Sequence, residues 1–133
     1  MMNLKTKEVI EKCAHESHAG LLIFPEVLGY LMSVGVESYF ADYRDQSTTY
    51  YLSSNEALKV SMEMPKIQIP EVFDKDSVVS SIRKAQSDEL RYPEFLRLTM
   101  SAGCIGYMVW ISGKHVSYYG RRGEVHIESF PHE

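Results

Sequence analysis

The stretch FPEVLGYLMSVGVESYFADYRDQSTTYYLSSNEALKVSM, residues 24–62, decides the fold because the chain contains a related stretch a second time. Moved 68 positions along without a gap, it aligns with YPEFLRLTMSAGCIGYMVWISGKHVSYYGRRGEVHIESF, residues 92–130. The aligned identities include Pro25/Pro93, Glu26/Glu94, Gly35/Gly103, Tyr39/Tyr107 and Tyr51/Tyr119. Two copies are too few for a solenoid, which needs about three or more units. The pattern predicts one domain whose halves are related by a pseudo-two-fold axis.

Each half is predicted to contain two helices followed by three antiparallel strands. Pro25 and Pro93 suit the first turn of a helix, where their missing N–H groups would have no partner. Gly35 and Gly103 suit the end of that helix in a left-handed conformation, so we expect a positive φ at both. The expected fold class is α+β, with an internally duplicated helix–helix–β–β–β unit and helices packed on one face of the sheet. A single domain, residues 1–133, is expected, with pseudo-repeats 4–62 and 74–130 and an extended connector at 63–73.

Composition excludes several classes of function. The chain of 133 residues is 44% hydrophobic and 24% charged, which is typical of one globular domain. The net charge of −4 argues against a general nucleic-acid binder, which needs a basic face. No apolar run approaches the roughly 20 residues of a membrane helix, and the first residues are not those of a signal peptide. We therefore expect a cytoplasmic protein, no nucleic-acid or membrane partner, and reduced thiols at Cys13 and Cys104.

The turns of the second half predict two faces for its strands. With Gly113-Lys114 and Arg122-Gly123 as two-residue loops, Met108 would oppose Tyr119, and Tyr119 would oppose His126. Because side chains alternate along a strand, an apolar core face then separates from a second face. The expected core face contains Ile105, Tyr107, Val109, Ile111, Val116, Tyr118, Val125 and Ile127. The second face contains Met108, Trp110, His115, Ser117, Tyr119, His126 and Glu128.

This second face mixes aromatic and polar groups, a composition typical of interfaces and binding surfaces. The candidate binding or interface residues are Met108, Trp110, His115, Tyr119, Arg121, His126 and Glu128. Arg121 is included because arginine next to glycine in a turn can bind a carboxylate or phosphate. The alternative is that the connector or the N-terminal helix packs over this face and makes it core. A homodimer, a small molecule or another protein could each occupy an exposed face of this kind.

Catalytic chemistry has a weaker basis in the sequence. Tyr119, His126 and Glu128, if they share a face, form a set that could transfer protons. No catalytic residue is assigned on this pattern, because a chance surface cluster is the better explanation of it. Cys13, His15 and His18 are not spaced as a zinc site, and no phosphate-binding loop or nucleotide fingerprint is present. No metal ion or cofactor is expected.

Several short motifs resemble a known family. They are VESY at 36–39, DYR at 42–44, TTYY at 48–51, YPEFL at 92–96, AGCIGY at 102–107 and YYG at 118–120. In their order along the chain, they are similar to those of the YdfO-like proteins, small bacterial and prophage-borne proteins often labelled "phage envelope protein". The resemblance spans nearly the whole chain. The family is one of unknown function, so the resemblance implies no catalytic residues.

Three hypotheses for function follow. The first is a non-catalytic binding or regulatory module that uses the aromatic-polar face, in a prophage-associated setting. The second is a small enzyme built on the Tyr119, His126 and Glu128 cluster. The third is a structural component of a phage. The sequence favours the first, and it leaves enzymatic activity open.

Overall fold

The computed structural model describes residues 2–131 and confirms an α+β fold. The elements in chain order are α1 (Leu4–His18), α2 (Phe24–Ser33), β1 (Val36–Asp42), β2 (Ser47–Leu52), β3 (Ala57–Ser61), α3 (Lys75–Gln86), α4 (Tyr92–Ser101), β4 (Cys104–Trp110), β5 (His115–Gly120) and β6 (Val125–Ser129). The strands form one antiparallel sheet in the order β3-β2-β1-β4-β5-β6. The helices pack on one face of this sheet.

The two halves correspond element by element. α4, β4, β5 and β6 each begin and end 68 positions after α2, β1, β2 and β3. Even the break in register repeats, between Val36 and Ser38 in one half and between Cys104 and Gly106 in the other. At the centre of the sheet Phe40 pairs with Met108, its own equivalent under the same shift. The pseudo-two-fold axis therefore passes through this pair, while gene duplication as its origin stays a hypothesis.

The helix starts follow from local hydrogen bonding. Asn3 caps α1 by accepting the N–H of Thr6 at 2.8 Å, and Asp74 caps α3 by accepting the N–H of Ser77 at 3.2 Å. At α2 the Glu26 carboxylate accepts the N–H of Ile23 at 3.0 Å. These bonds satisfy donors that a helix start leaves without an intrahelical partner.

The predicted helix-ending glycines are confirmed. Gly35 has φ +85° and Gly103 has φ +89°, a region that side-chain-bearing residues rarely adopt. Each lies between a ten-residue helix and the first strand of its half. The left-handed turn ends the helix and lets the following strand pack beneath it.

The core between helices and sheet is rich in tyrosine. Tyr39 and Tyr50 lie with ring centroids 5.3 Å apart, and the equivalent Tyr107 and Tyr118 lie 5.6 Å apart. The Tyr107 hydroxyl donates to that of Tyr92 at 2.8 Å. Burial raises the pKa of all five phenols, and that of Tyr92 to about 12. These hydroxyls therefore stay protonated at neutral pH and serve packing.

The connector, residues 63–73, contains no helix or strand, and it crosses one end of the sheet. Met64 and Ile69 are buried. The Ile69 carbonyl accepts from Arg121 Nε at 3.0 Å, and the Asp74 N–H donates to the Ala102 carbonyl at 2.7 Å. The connector thus joins the edge strand β3 to the second half along the strand ends, and the alternative that it packs over the aromatic-polar face is not supported.

Two predicted loops are wrong, with different consequences. The β4–β5 loop has four residues, 111–114, with the positive φ at Lys114, so Trp110 opposes His115 and Met108 opposes Ser117. This shift of two residues leaves every side chain on its predicted face. The β5–β6 loop has three residues, 121–123, closed by the N–H of Gly120 on the Glu124 carbonyl at 2.9 Å. That shift of one residue moves all of β6 to the opposite face.

Candidate binding face

The sheet face opposite the helices is open. No helix or strand within residues 2–131 lies over it, and we call it the open face. The strand register places 18 residues there: Ala57, Lys59, Ser61, Ser47, Thr49, Tyr51, Ser38, Phe40, Asp42, Gly106, Met108, Trp110, His115, Ser117, Tyr119, Val125, Ile127 and Ser129. Trp110 is 39% exposed, Val125 49% and Ile127 59%. Large apolar side chains therefore reach solvent on β4 and β6.

A basic cleft lies on the second half of the open face. Its volume is about 430 Å³, and it is lined by Phe40, Arg44, Ile105, Met108, Trp110, Tyr119, Gly120, Arg121 and Gly123. Arg44 is exposed and has no ion-pair partner among residues 2–131. Arg121 donates from Nε to the Ile69 carbonyl and has no ion-pair partner among residues 2–131. The cleft therefore combines aromatic surface with two guanidinium groups.

An acidic cleft lies at the pseudo-symmetric place on the first half. It has a volume of about 290 Å³ and is lined by Glu37, Ser38, Tyr51, Leu52, Asn55, Glu56 and Met108. Under the shift of 68 positions, Tyr51 corresponds to Tyr119 and Asn55 to Gly123 of the basic cleft. The backbone site is thus the same in both halves, but its charge is reversed.

Nearby carboxylates do not neutralise the basic cleft by pairing with its arginines. The Asp42 carboxylate accepts the backbone N–H groups of Arg44 and Asp45 at 3.1 and 3.2 Å. The Glu124 carboxylate accepts the backbone N–H of Arg122 at 2.9 Å. Both carboxylates stabilise turns, so the guanidinium groups remain available to a partner.

Five of the seven predicted site residues come together. Met108, Trp110, His115 and Tyr119 lie on the open face, and Arg121 lines its basic cleft. The Trp110 and His115 rings are neighbours, with centroids 6.3 Å apart. The predicted composition of this part of the face is therefore present in the fold.

The placement of His126 and Glu128 on this face is wrong. His126 opposes Tyr118, and Glu128 opposes Val116, so both point toward the helix layer. The cause is the three-residue β5–β6 loop, which shifts β6 by one residue relative to the prediction. The proposed acid–base set of Tyr119, His126 and Glu128 is therefore divided between the two faces of the sheet.

His126 and Glu128 instead tie the last strand to α3. Glu128 accepts from Arg83 at 2.5 Å and contacts His126 Nε2 at 3.1 Å, while the His126 ring stacks on Tyr118. Burial raises the pKa of the Glu128 carboxyl, but the hydrogen bonds from Arg83 and His126 outweigh it and hold that pKa below its usual value. This arrangement is a structural contact between strand and helix.

We expect Glu128→Gln to lower the free energy of unfolding by about 1 kcal/mol at pH 7. Because the folded-state pKa of Glu128 is lowered, its contribution is present above the unfolded-state pKa and is lost as pH falls through the folded-state pKa. The difference between wild type and variant should therefore shrink toward pH 3 in urea unfolding. Glu8→Gln, on the exposed side of α1, is the control. A difference that does not change with pH would contradict this role for Glu128.

Residues that the sequence did not single out complete the open face. Phe40 and Arg44 join the basic cleft because β1 pairs with β4 at the centre of the sheet. Val125 and Ile127 were predicted as core and are exposed instead. A signal for Phe40 existed in the repeat, since Phe40 is equivalent to Met108. The exposure of Val125 and Ile127 could be predicted only from the length of the β5–β6 loop.

Metal ligands and cysteine thiols are the other groups of the described chain that could support chemistry. Among residues 2–131, no group of three or more histidine, cysteine, aspartate or glutamate side chains is placed to hold a metal ion. Cys13 and Cys104 are free and buried, and burial raises the pKa of each thiol to about 11. Thiols with a raised pKa are poor nucleophiles at neutral pH. No helix of the described chain is long and apolar enough to cross a membrane.

Comparison with known proteins assigns the family. A family model described as "Protein of unknown function (DUF1398)" matches residues 12–129. The match covers both halves of the sheet and all four helices apart from the first turns of α1. No curated protein matches the sequence. The chain therefore belongs to the DUF1398 family of proteins of unknown function.

Proposed function

We propose that the protein is a non-catalytic binding module and that the open face holds its partner. The observation that supports this is the exposed apolar surface of Trp110, Val125 and Ile127 on a sheet face that no described element covers. Antiparallel sheets with one solvated face normally carry polar side chains there. Exposed apolar patches rimmed by charge are typical of interaction sites.

Binding is favoured over catalysis by the position of the titratable groups. The raised pKa values belong mainly to buried tyrosines and to the two cysteines, all inside the core. The groups that line the basic cleft include no carboxylate and no histidine. Tyr119 lines this cleft and could transfer a proton, but no carboxylate or histidine lines it to act as its partner.

The setting of the module is part of the proposal. The free thiols of Cys13 and Cys104 suit a reducing compartment, which supports a cytoplasmic location. The YdfO-like resemblance supports a prophage-associated regulatory role. The alternative, a phage structural component, predicts ordered particles at high protein concentration, which electron microscopy of the purified protein would detect.

In-cell photo-crosslinking tests the proposed function without knowledge of the partner. A benzophenone amino acid at Ile127 would sit on the open face, and the same residue at Leu98 of α4 would sit on the helix layer. Leu98 is 40% exposed and provides a matched control. We expect a discrete adduct from position 127 and none from position 98. No adduct from position 127, or equal adducts from both positions, would contradict the proposal.

A further inference from the structure

We propose that the partner of the open face is a second copy of this chain, with the acidic cleft of each copy seated on the basic cleft of the other. This inference rests on the proposed function and names its partner. The two clefts of the open face carry opposite charges. Glu37 and Glu56 line one cleft, and Arg44 and Arg121 line the other.

Symmetry makes this pairing possible between identical chains. The two clefts lie on either side of the pseudo-two-fold axis through Phe40 and Met108. A dimer axis in the plane of the interface, perpendicular to the line between the clefts, places each acidic cleft over the partner's basic cleft. The contact is isologous and occurs twice, as a closed dimer requires. An axis along that line would instead place like charges together, which costs free energy.

The apolar residues then occupy the centre of the contact. Phe40 and Met108 lie at the axis, where they would meet the same pair of the second copy, and Trp110 lies beside them in the basic cleft. Charged groups would surround this apolar centre, the usual organisation of an interface. Antiparallel sheets pack face to face in this way about 10 Å apart.

The available area suits a reversible dimer. Six strands at a spacing of about 4.8 Å, each about 20 Å long, give a face of about 500–600 Å². Two such faces bury about 1,000–1,200 Å² in total, at the lower end of specific interfaces. We therefore expect a dissociation constant in the micromolar range.

Charge reversal with heterodimer rescue tests the arrangement. Glu37→Arg cancels the charge of the acidic cleft, where Glu56 remains, and Arg44→Glu cancels that of the basic cleft, where Arg121 remains. Each homodimer then lacks charge complementarity at both contacts, so each variant should dimerise at least ~10-fold more weakly than wild type in sedimentation equilibrium. Mixing the two variants restores opposite charges at both contacts, so the heterodimer should form within about threefold of the wild-type constant. Glu8→Arg and Arg97→Glu, on the exposed helix layer, should leave dimerisation unchanged. Circular dichroism melts confirm that each variant is folded.

Three results would overturn the proposal. The first is a wild type that stays monomeric at ~200 µM. The second is dimerisation unaffected by either reversal. The third is loss in both single variants with no rescue in the mixture, which would exclude the antiparallel arrangement of the clefts. This experiment contains only the purified chain, so its failure would exclude the homodimer alone. The crosslinking experiment in cells would still test whether the open face binds a different partner.

Discussion

Gly103→Ala is expected to lower the free energy of unfolding by about 3 kcal/mol, more than any other single glycine substitution proposed in this protein. The added Cβ would lie 2.1 Å from the Val72 carbonyl oxygen and 2.9 Å from its carbon. These are backbone atoms of the connector, which is held in place by the hydrogen bond from Asp74 to Ala102 at 2.7 Å. Alanine would also have to adopt φ near +89°. Either the connector or the start of β4 must therefore move.

Gly35→Ala is the matched control, because Gly35 occupies the equivalent position in the first half. Its φ is +85°, but the nearest atom to an added Cβ is Ser53 Oγ at 3.8 Å. Only the backbone strain remains, so we expect a loss of about 1 kcal/mol. Urea unfolding of both variants gives the comparison. Equal losses would mean that the connector does not pack on Gly103 as described.

Local patterns predicted the elements and most of the core. The proline and glycine at the ends of α2 and α4 define those helices, and alternation along β1 groups Tyr39, Ala41 and Tyr43, which are all buried. Val36 is also buried, although simple alternation would group it with Phe40, because the break in register before Ser38 turns it to the core side. Such signals are local, since helix ends and strand alternation depend on neighbouring residues.

Loop length was the information that the sequence did not provide. Gly123, with φ +87°, fits the second position of a two-residue loop and also the last position of a three-residue loop with a bulge. The sequence does not distinguish these loops, yet the choice decides whether His126 or Ile127 reaches the open face. The predicted register at Gly113-Lys114 was wrong by two residues. A shift of two residues does not change the face on which a side chain lies, so Met108, Trp110 and Tyr119 are on the predicted face.

The composition of the basic cleft depended on a contact between distant parts of the chain. Arg44 reaches the cleft because β1 and β4 are neighbours at the centre of the sheet. Helical and strand periodicity contain no information on which strands pair across the halves. The repeat implied a symmetric arrangement but left open whether the central strands or the edge strands meet.

Trp110→Ala is expected to weaken self-association by about 2 kcal/mol, or ~30-fold in the dissociation constant, while the fold is kept. Trp110 is 39% exposed and lies in the basic cleft beside His115, so its removal costs the monomer less than removal of a core side chain. We expect a loss of about 1 kcal/mol or less in the free energy of unfolding. Leu98→Ala, at 40% exposure on α4, is the control and should not change association.

The outcome for the tryptophan separates two structural roles. A variant that dimerises normally would show that Trp110 lies outside the interface. If the wild type is monomeric and the variant unfolds, Trp110 is required for the core. The open face then does not bind a second copy of the chain.

The sedimentation coefficient of the wild type, measured together with acrylamide quenching of Trp110, tests the use of the open face most directly. Trp110 is the chain's single tryptophan, so its emission reports on this face alone. Between ~1 and ~200 µM we expect the 15.3 kDa monomer to become a dimer and the quenching constant to fall in step. A monomer throughout, with unchanged quenching, would contradict a second copy on the open face.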